Sequence, residues 1–287
     1  MTLYSTGFEV AEGYDANEDL AGQNQWTSIG DGGNGVGEFF GGFGQSAYIG
    51  FGPPTTNGLE LYRPVNHTPT NQALVTATLD MLIVDSTNTL RRDEFRWSVY
   101  NIQGQRLFCI IFDNYDLGIY YQLDSGSDNS AGWFFENDLI YTLKIEMNYG
   151  SNRWDAWLGD TQIITNQLIT TTNAARTFGD LDAVWLLRPE LNSIAGDNYM
   201  VFDNLLLTAD TVAVPAPALS APVPIGGGQY LIRVNGTEGG KFAVQASTNL
   251  TSWTALKTNV ITGGYFDYLD TSAVGLPQRF YRASWIP

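Results

Sequence analysis

The chain has 287 residues, 44% hydrophobic and 13% aromatic, with 31 glycines and a single cysteine. Its 30 acidic and 14 basic residues give a formal net charge of −16, which repels nucleic-acid phosphates and anionic membrane surfaces and suits neutral glycans, cations or plain solubility. No stretch approaches the ~18 apolar residues of a membrane-spanning helix, a lone cysteine excludes an intramolecular disulfide, and a lone histidine excludes a multi-histidine metal centre.

The opening, Met1-Thr-Leu-Tyr-Ser-Thr-Gly-Phe8, lacks the charged and apolar regions of an export signal and runs almost directly into a first strand. For an exported protein, the expectation is that a signal has been removed ahead of Met1. From Ile29 to Gly58 the glycines carry little periodicity and predict long loops at the rim of a sandwich. They lack the Lys-Ser/Thr ending and the following helix of a phosphate-binding loop.

Period-two patterns then recur. Ala73–Val84 predicts a long strand. Phe95, Trp97 and Val99 alternate with Arg96, Ser98 and Tyr100, and Leu107–Phe112 is apolar on both faces, as a central strand would be. Cys109 lies in that run and reads as a small buried hydrophobe; His67 lies in a loop-like segment. Leu117–Leu123, Ile140–Met147, Arg153–Leu158, Ala183–Leu187 and Asn198–Thr208 continue the series. Strands this numerous, separated by turn residues, predict an all-β fold, an antiparallel jelly-roll sandwich.

Between Val212 and Pro224, Pro215, Pro217, Pro222 and Pro224 alternate with small residues, which predicts a semi-rigid linker. The expected division is a sandwich over 1–210, a Pro/Ala-rich linker over 211–226 and a small β-module over 227–287. The last part carries strands at Gln229–Val234, Lys241–Ala246, Trp253–Leu256, Gly264–Leu269 and Gln278–Trp285, as an Ig-like or fibronectin-type sandwich would.

Two signatures bring families to mind. Phe8-Glu-Val-Ala-Glu-Gly-Tyr14, Leu20-Ala-Gly-Gln-Asn-Gln-Trp26 and Val201-Phe-Asp-Asn-Leu205 resemble the concanavalin-like lectin/glucanase jelly rolls of exported bacterial proteins. The likeness spans about residues 7–208 and implies that the opening "FE" strand lies beside the closing "FDN" strand. Phe242-Ala-Val-Gln-Ala-Ser-Thr-Asn-Leu-Thr-Ser-Trp253 with Arg279-Phe-Tyr-Arg-Ala283 resembles small C-terminal β-sandwich modules of Verrucomicrobia-type exported proteins. That likeness implies a spacer or attachment role and brings no catalytic residue.

Catalytic patterns of jelly-roll enzymes are incomplete here. The Glu-x-Asp-x-x-Glu strand of glycoside hydrolases is missing, and the adjacent Asp93 and Glu94 point to opposite faces. Arg91–Arg96 and Gly118–Gln122 echo two strands of alginate-lyase-like jelly rolls, without their Gln-x-His element. The first resemblance makes Glu9 and Asp203 neighbours. Two readings stand for them: ligands of a structural calcium ion, with Asp31 a weaker third, or hydrogen bonding to loop backbone.

Alternation places Arg96, Ser98 and Tyr100 on one strand face, Tyr120 and Gln122 on a second, and Asp155 with Trp157 on a third. Mixed aromatic and polar faces suit sugar rings and hydroxyls, or simply a solvated sheet surface. The opposite faces (Phe95, Trp97, Val99; Ile119, Tyr121; Trp154, Ala156, Leu158) read as core. The expected ligand set is therefore Arg96, Tyr100, Tyr120, Gln122, Asp155 and Trp157, with no catalytic residue assigned. The leading expectation is a secreted or cell-surface, non-catalytic carbohydrate-binding protein. Its partner is a glycan or polysaccharide, with neither nucleic-acid binding nor membrane insertion. A self-associating structural subunit and a polysaccharide lyase or hydrolase with an atypical site are the alternatives.

Overall fold

The computed structural model describes residues 1–287 except 42–43, 52–57, 71, 88–92, 188–196, 213–215, 238 and 287. Strands form wherever alternate positions are apolar. In Leu74–Val84 the inward Val75, Ala77, Leu79, Met81 and Ile83 are buried, and the intervening residues are partly open. In chain order the first fifteen strands are β1 (Thr2–Thr6), β2 (Thr27–Gly30), β3 (Asn34–Gly37), β4 (Ser46–Ile49), β5 (Gly58–Tyr62), β6 (Leu74–Val84), β7 (Glu94–Tyr100), β8 (Arg106–Asp113), β9 (Gly118–Leu123), β10 (Asn129–Phe134), β11 (Tyr141–Asn148), β12 (Arg153–Leu158), β13 (Thr161–Leu168), β14 (Asp180–Leu186) and β15 (Tyr199–Asp210).

They build two antiparallel sheets. The first runs β13-β12-β11-β6-β15-β4-β3, with β1 also paired to β15. The second runs β10-β9-β8-β7-β14-β5-β2. Their inner faces share one apolar core that contains Trp97, Trp154, Trp185, Phe95, Phe108, Phe112 and Phe202. Phe108 of the second sheet stacks on Trp154 of the first, with ring centroids 4.0 Å apart. Each fully buried large side chain contributes about 1.5–3 kcal/mol by leaving water. As the apolar run of residues 107–112 predicts, β8 is buried on both faces.

Three local expectations are corrected. The Gly-rich region, read as loops, contains β3 and β4. Gly35 is needed there because a Cβ would lie 2.5 Å from the Tyr48 hydroxyl, which crosses it from the paired strand. The first strand ends at Thr6, so Glu9 is not a strand residue. It begins a short 3-10 turn (Val10–Glu12), where the Glu12 carboxylate accepts the Gly7 and Glu9 N–H groups at 2.9 and 3.1 Å and ends the extended run. What pairs with the closing strand is instead β1, from Tyr4↔Leu207 to Thr6↔Leu205.

The third correction concerns the linker. Part of 211–226 joins the following sheet: β16 (Ala218–Leu219) and β17 (Val223–Gly226) pair with β18 (Gln229–Asn235). Proline lacks a donor, and an edge position leaves Pro224 with no ladder bond to supply on its open side. On its other edge β18 pairs with β21 (Tyr265–Asp270). A second small sheet orders β20 (Thr254–Val260), β19 (Lys241–Ser247) and β22 (Phe280–Trp285). A separate core of Ile232, Val234, Phe242, Val244, Ile261 and Phe266 lies among these strands.

The signature residues of this C-terminal part are structural. The Ser247 hydroxyl and the Asn249 carboxamide accept backbone N–H groups that close the turn before Trp253. The fully buried Asp270 pairs with Arg279 at 2.7 Å and accepts the Tyr281 hydroxyl at 2.9 Å.

Candidate functional site: the outer face of the second sheet

Strand pairing lays side chains from five strands of the second sheet into rows on its outer face. One row is Glu60, Val184, Arg96, Ile111 and Tyr120. The next is Asp182, Ser98, Cys109 and Gln122, and a third pairs Asp180 with Tyr100 and Tyr100 with Arg106. Ser98, Cys109 and Ile111 are buried beneath the longer side chains and form a floor. Burial pushes the Cys109 thiol above its ordinary value, which leaves it a poor nucleophile.

Above the floor the polar groups are cross-linked. Arg106 Nη2 donates to Gln122 Oε1 at 2.6 Å, and Gln122 Nε2 donates to Asp128 Oδ1 at 2.6 Å. Arg96 pairs with Glu94 and reaches Gln122 Oε1 at 3.4 Å. Burial raises the Glu94 carboxyl even against the opposing pull of Arg96. The Tyr120 hydroxyl donates to Asp116 Oδ2 at 2.6 Å, and its ring lies over Gly118, where a Cβ would come within 2.6 Å of it. Phe134, paired with Gly118, is 73% exposed beside it.

The sequence reasoning missed the acidic end of this face. Asp180 and Asp182 alternate with the core residues Leu181 and Ala183. Their neighbour Glu60 lies between the buried Leu59 and Leu61. Reading this strand from Ala183 cut off the Asp-Leu-Asp pattern that announces the pair. Burial raises Asp180 to about 6 and Asp182 well above the ordinary carboxylate value; Asp180 and Glu60 push Asp182 further in the same direction. Buried Oδ1 atoms of both aspartates meet no hydrogen-bond donor among the described residues. A shared proton satisfies such oxygens. The Tyr100 phenol is also raised, by burial and then by Glu60.

Of the six ligand residues expected from the sequence, the structure brings four together on this face: Arg96, Tyr100, Tyr120 and Gln122. Asp155 and Trp157 lie on the outer face of the first sheet, across the whole sandwich. Asp155 accepts from Gln162 Nε2 at 3.0 Å and from the Asn166 N–H at 2.8 Å, and Lys144 Nζ sits 4.7 Å from the Trp157 ring centroid. Period two fixes which face of a strand a residue occupies, not which sheet the strand joins. Arg91 and Arg92, from the lyase-like echo, lie outside the described residues.

Glu9 and Asp203 come side by side. A Cβ on Gly7 would lie 3.7 Å from Glu9 Cγ and 3.9 Å from Asp203 Oδ1. Burial raises Asp203 to about 6, with Glu9, Asp80 and Glu12 adding to the effect. Close by, Glu9 Oε2 accepts the Gln45 N–H at 3.3 Å, and Gln45 Oε1 and Ser46 Oγ are buried with no hydrogen-bond partner among the described residues. Two carboxylates, an amide oxygen and a hydroxyl are the donor types that calcium takes. Among the described residues, no three Asp, Glu, His or Cys side chains gather in metal-binding geometry.

The chain matches no protein-family model and no curated protein sequence. Solved structures match it in fold. A sialidase superposes with a TM-score of 0.50 at 7% identity, over 72% of this chain and 18% of the sialidase. This chain therefore spans less than a fifth of that protein's length. The lectin UEA-II, complexed with galactose, gives a TM-score of 0.46 at 11% identity over 72% of this chain and 98% of its own. Arcelin-5, a lectin-like defense protein from Phaseolus vulgaris, gives 0.45 at 8% identity over 68% and 96%. The fold is an antiparallel β-sandwich. Among the described residues no helix is long and apolar enough to cross a membrane.

Proposed function

We propose that the chain is an exported, non-catalytic glycan-binding protein whose ligand lies across the outer face of the second sheet. The observation that carries this reading is the set of paired rows holding Arg96, Tyr100, Tyr120 and Gln122 over a buried floor, with Phe134 exposed at one end. Planar guanidinium and carboxamide groups bond sugar hydroxyls, and aromatic rings cover the C–H faces of pyranoses. Calcium held near Glu9, Asp203, Gln45 and Ser46 would serve as a structural ion far from this face. The C-terminal strands form an Ig-like attachment module. A glycan array followed by titration tests the reading: Tyr120→Ala and Phe134→Ala should each weaken the ligand found about tenfold or more without lowering the melting temperature. No glycan ligand on a broad array, or unchanged affinity in both variants, refutes it.

One observation favours a second reading, glycan cleavage. Proton-holding carboxyls beside a phenol are the material of acid–base chemistry, and Asp180, Asp182, Glu60 and Tyr100 supply them. New reducing ends or unsaturated products from a polysaccharide panel, lost in Asp182→Asn, would establish it. A third, self-assembly, is favoured by the exposed Trp133 and Phe134 on the edge strand β10 and is decided by the mass in solution.

A further inference from the structure

Arg176 is a second feature with no role in the face just described. Every other described arginine donates a hydrogen bond: Arg63, Arg96, Arg106, Arg153, Arg233, Arg279 and Arg282. Arg176 makes neither a hydrogen bond nor an ion pair among the described residues, although it is half-buried. Burial pulls its pKa down, and no carboxylate is close enough to oppose this. A half-buried guanidinium whose donors meet only solvent is open to an incoming acceptor.

Its position gives that acceptor a place. Arg176 lines two adjoining clefts where the sandwich meets the C-terminal module. One, of about 360 Å³, also involves Asn173 of the sandwich and Gly239 and Val260 of the module. The other, of about 240 Å³, is closed by Pro69 and Gly150 on the sandwich and Trp285 on the module. The module is fitted closely here. A Cβ on Gly239 would lie 2.3 Å from the Ser151 carbonyl oxygen, and one on Gly150 would lie 3.4 Å from the Trp285 ring. In a chain with 30 acidic residues, neither cleft has an Asp or Glu in its wall among the described residues. The nearby Asp124 is already occupied by Thr170 and Thr171, at 2.6 Å from each hydroxyl. Asn173 is exposed on the first cleft and makes no side-chain hydrogen bond among the described residues.

We infer that this junction is a second carbohydrate site, specific for an acidic sugar residue whose anionic group binds Arg176 and whose ring lies against Trp285. A carboxylate or a sulfate ester matches the guanidinium fork, and the indole and Pro69 supply an apolar wall for the sugar's C–H face. An uncharged sugar would offer the guanidinium hydroxyl acceptors but no countercharge. The site needs both modules, because Arg176 comes from one and Trp285 from the other.

The experiment uses the full chain and isothermal titration with four probes: trigalacturonic acid, galactose 6-sulfate, uncharged galactotriose and inorganic sulfate. Binding of trigalacturonic acid or galactose 6-sulfate, but not of galactotriose, is expected, and the two charged sugars tell a uronate site from a sulfated one. Arg176→Gln should weaken the charged sugar about tenfold or more, and Arg176→Lys should restore part of that loss. Trp285→Ala should weaken the sugar without creating affinity for inorganic sulfate; should this variant unfold the module, the Arg176 pair decides alone. Tyr120→Ala should leave acidic-sugar binding unchanged, which separates this site from the outer face. The inference is overturned if neither charged sugar binds, if galactotriose binds as well as they do, if inorganic sulfate binds as tightly as the sugars, or if Arg176→Gln changes nothing.

Discussion

Raising the pH from 4 to 8 should destabilise the folded chain, and Asp180→Asn should remove a measurable part of that dependence. Burial lifts the Asp180 carboxyl from 3.8 to about 6 in the folded state. Below about pH 4 this group is protonated whether the chain is folded or not, and its proton-linked advantage is fully present. Between about pH 4 and 6 the unfolded chain ionises first, so unfolding releases protons and the native state loses ground as the pH rises. Above about pH 6 the advantage is gone. For a fully buried group the rise corresponds to about 3 kcal/mol, and solvent screening of the partly open Asp180 cuts this to ~1.5 kcal/mol. Asp182 acts in the same direction, as does general repulsion in a chain of charge −16, so the wild-type slope alone does not isolate the site. The informative quantity is the gap between Asp180→Asn and wild type in urea unfolding at pH 4 and pH 8. That gap should shift in favour of the variant by ~1.5 kcal/mol across this range. A gap independent of pH, or one that moves against the variant as pH rises, refutes the shared-proton picture of this face.

Two further outcomes follow from burial and from the acidic cluster. Trp154→Ala, which removes a fully buried ring stacked on Phe108, should cost ~3–5 kcal/mol in denaturant unfolding. Trp157→Ala, on the open face of the same strand, should cost under ~1 kcal/mol; equal losses would mean that the faces of β12 are misassigned. If calcium sits beside Glu9 and Asp203, chelator should lower the melting temperature and added calcium should restore it. Asp203→Asn should abolish that response, and identical melting curves with and without calcium would rule the ion out.

The parts of this fold legible in the sequence are those where one sheet face is dry. β6, β7, β11 and β12 appear almost residue for residue because burial forces strict alternation on them. β3 and β10 escape notice because glycine or exposure on both faces removes the pattern. The candidate site was legible only in halves. Alternation exposes Arg96, Tyr100, Tyr120 and Gln122 as outward residues, yet nothing local shows that β7 and β9 flank β8 in one sheet while β12 lies in the other. The same holds for Glu60 and Asp182, which come from strands more than a hundred residues apart and push on each other's charge only when β5 and β14 pair. Arg176 carries no sequence signal at all. Its significance is the absence of a partner among the described residues, and that exists only once the chain has closed around it.

The seam where β1 joins β15 bears on how the chain is made. β15 is held along its length by β6, and its other edge is divided between β4 at Met200–Phe202 and β1 at Leu205–Thr208. β1 thus finds its partner only after some two hundred further residues have been synthesised. Until then β1 has no edge to join, and the sandwich folds with the sluggishness of long-range β-pairing. Once joined, the two ends of the sandwich's sequence are fastened to each other. Peeling β1 away must then strip residues from the sandwich's longest strand, and the module beyond β15 hangs from the point where the two ends of the sandwich meet.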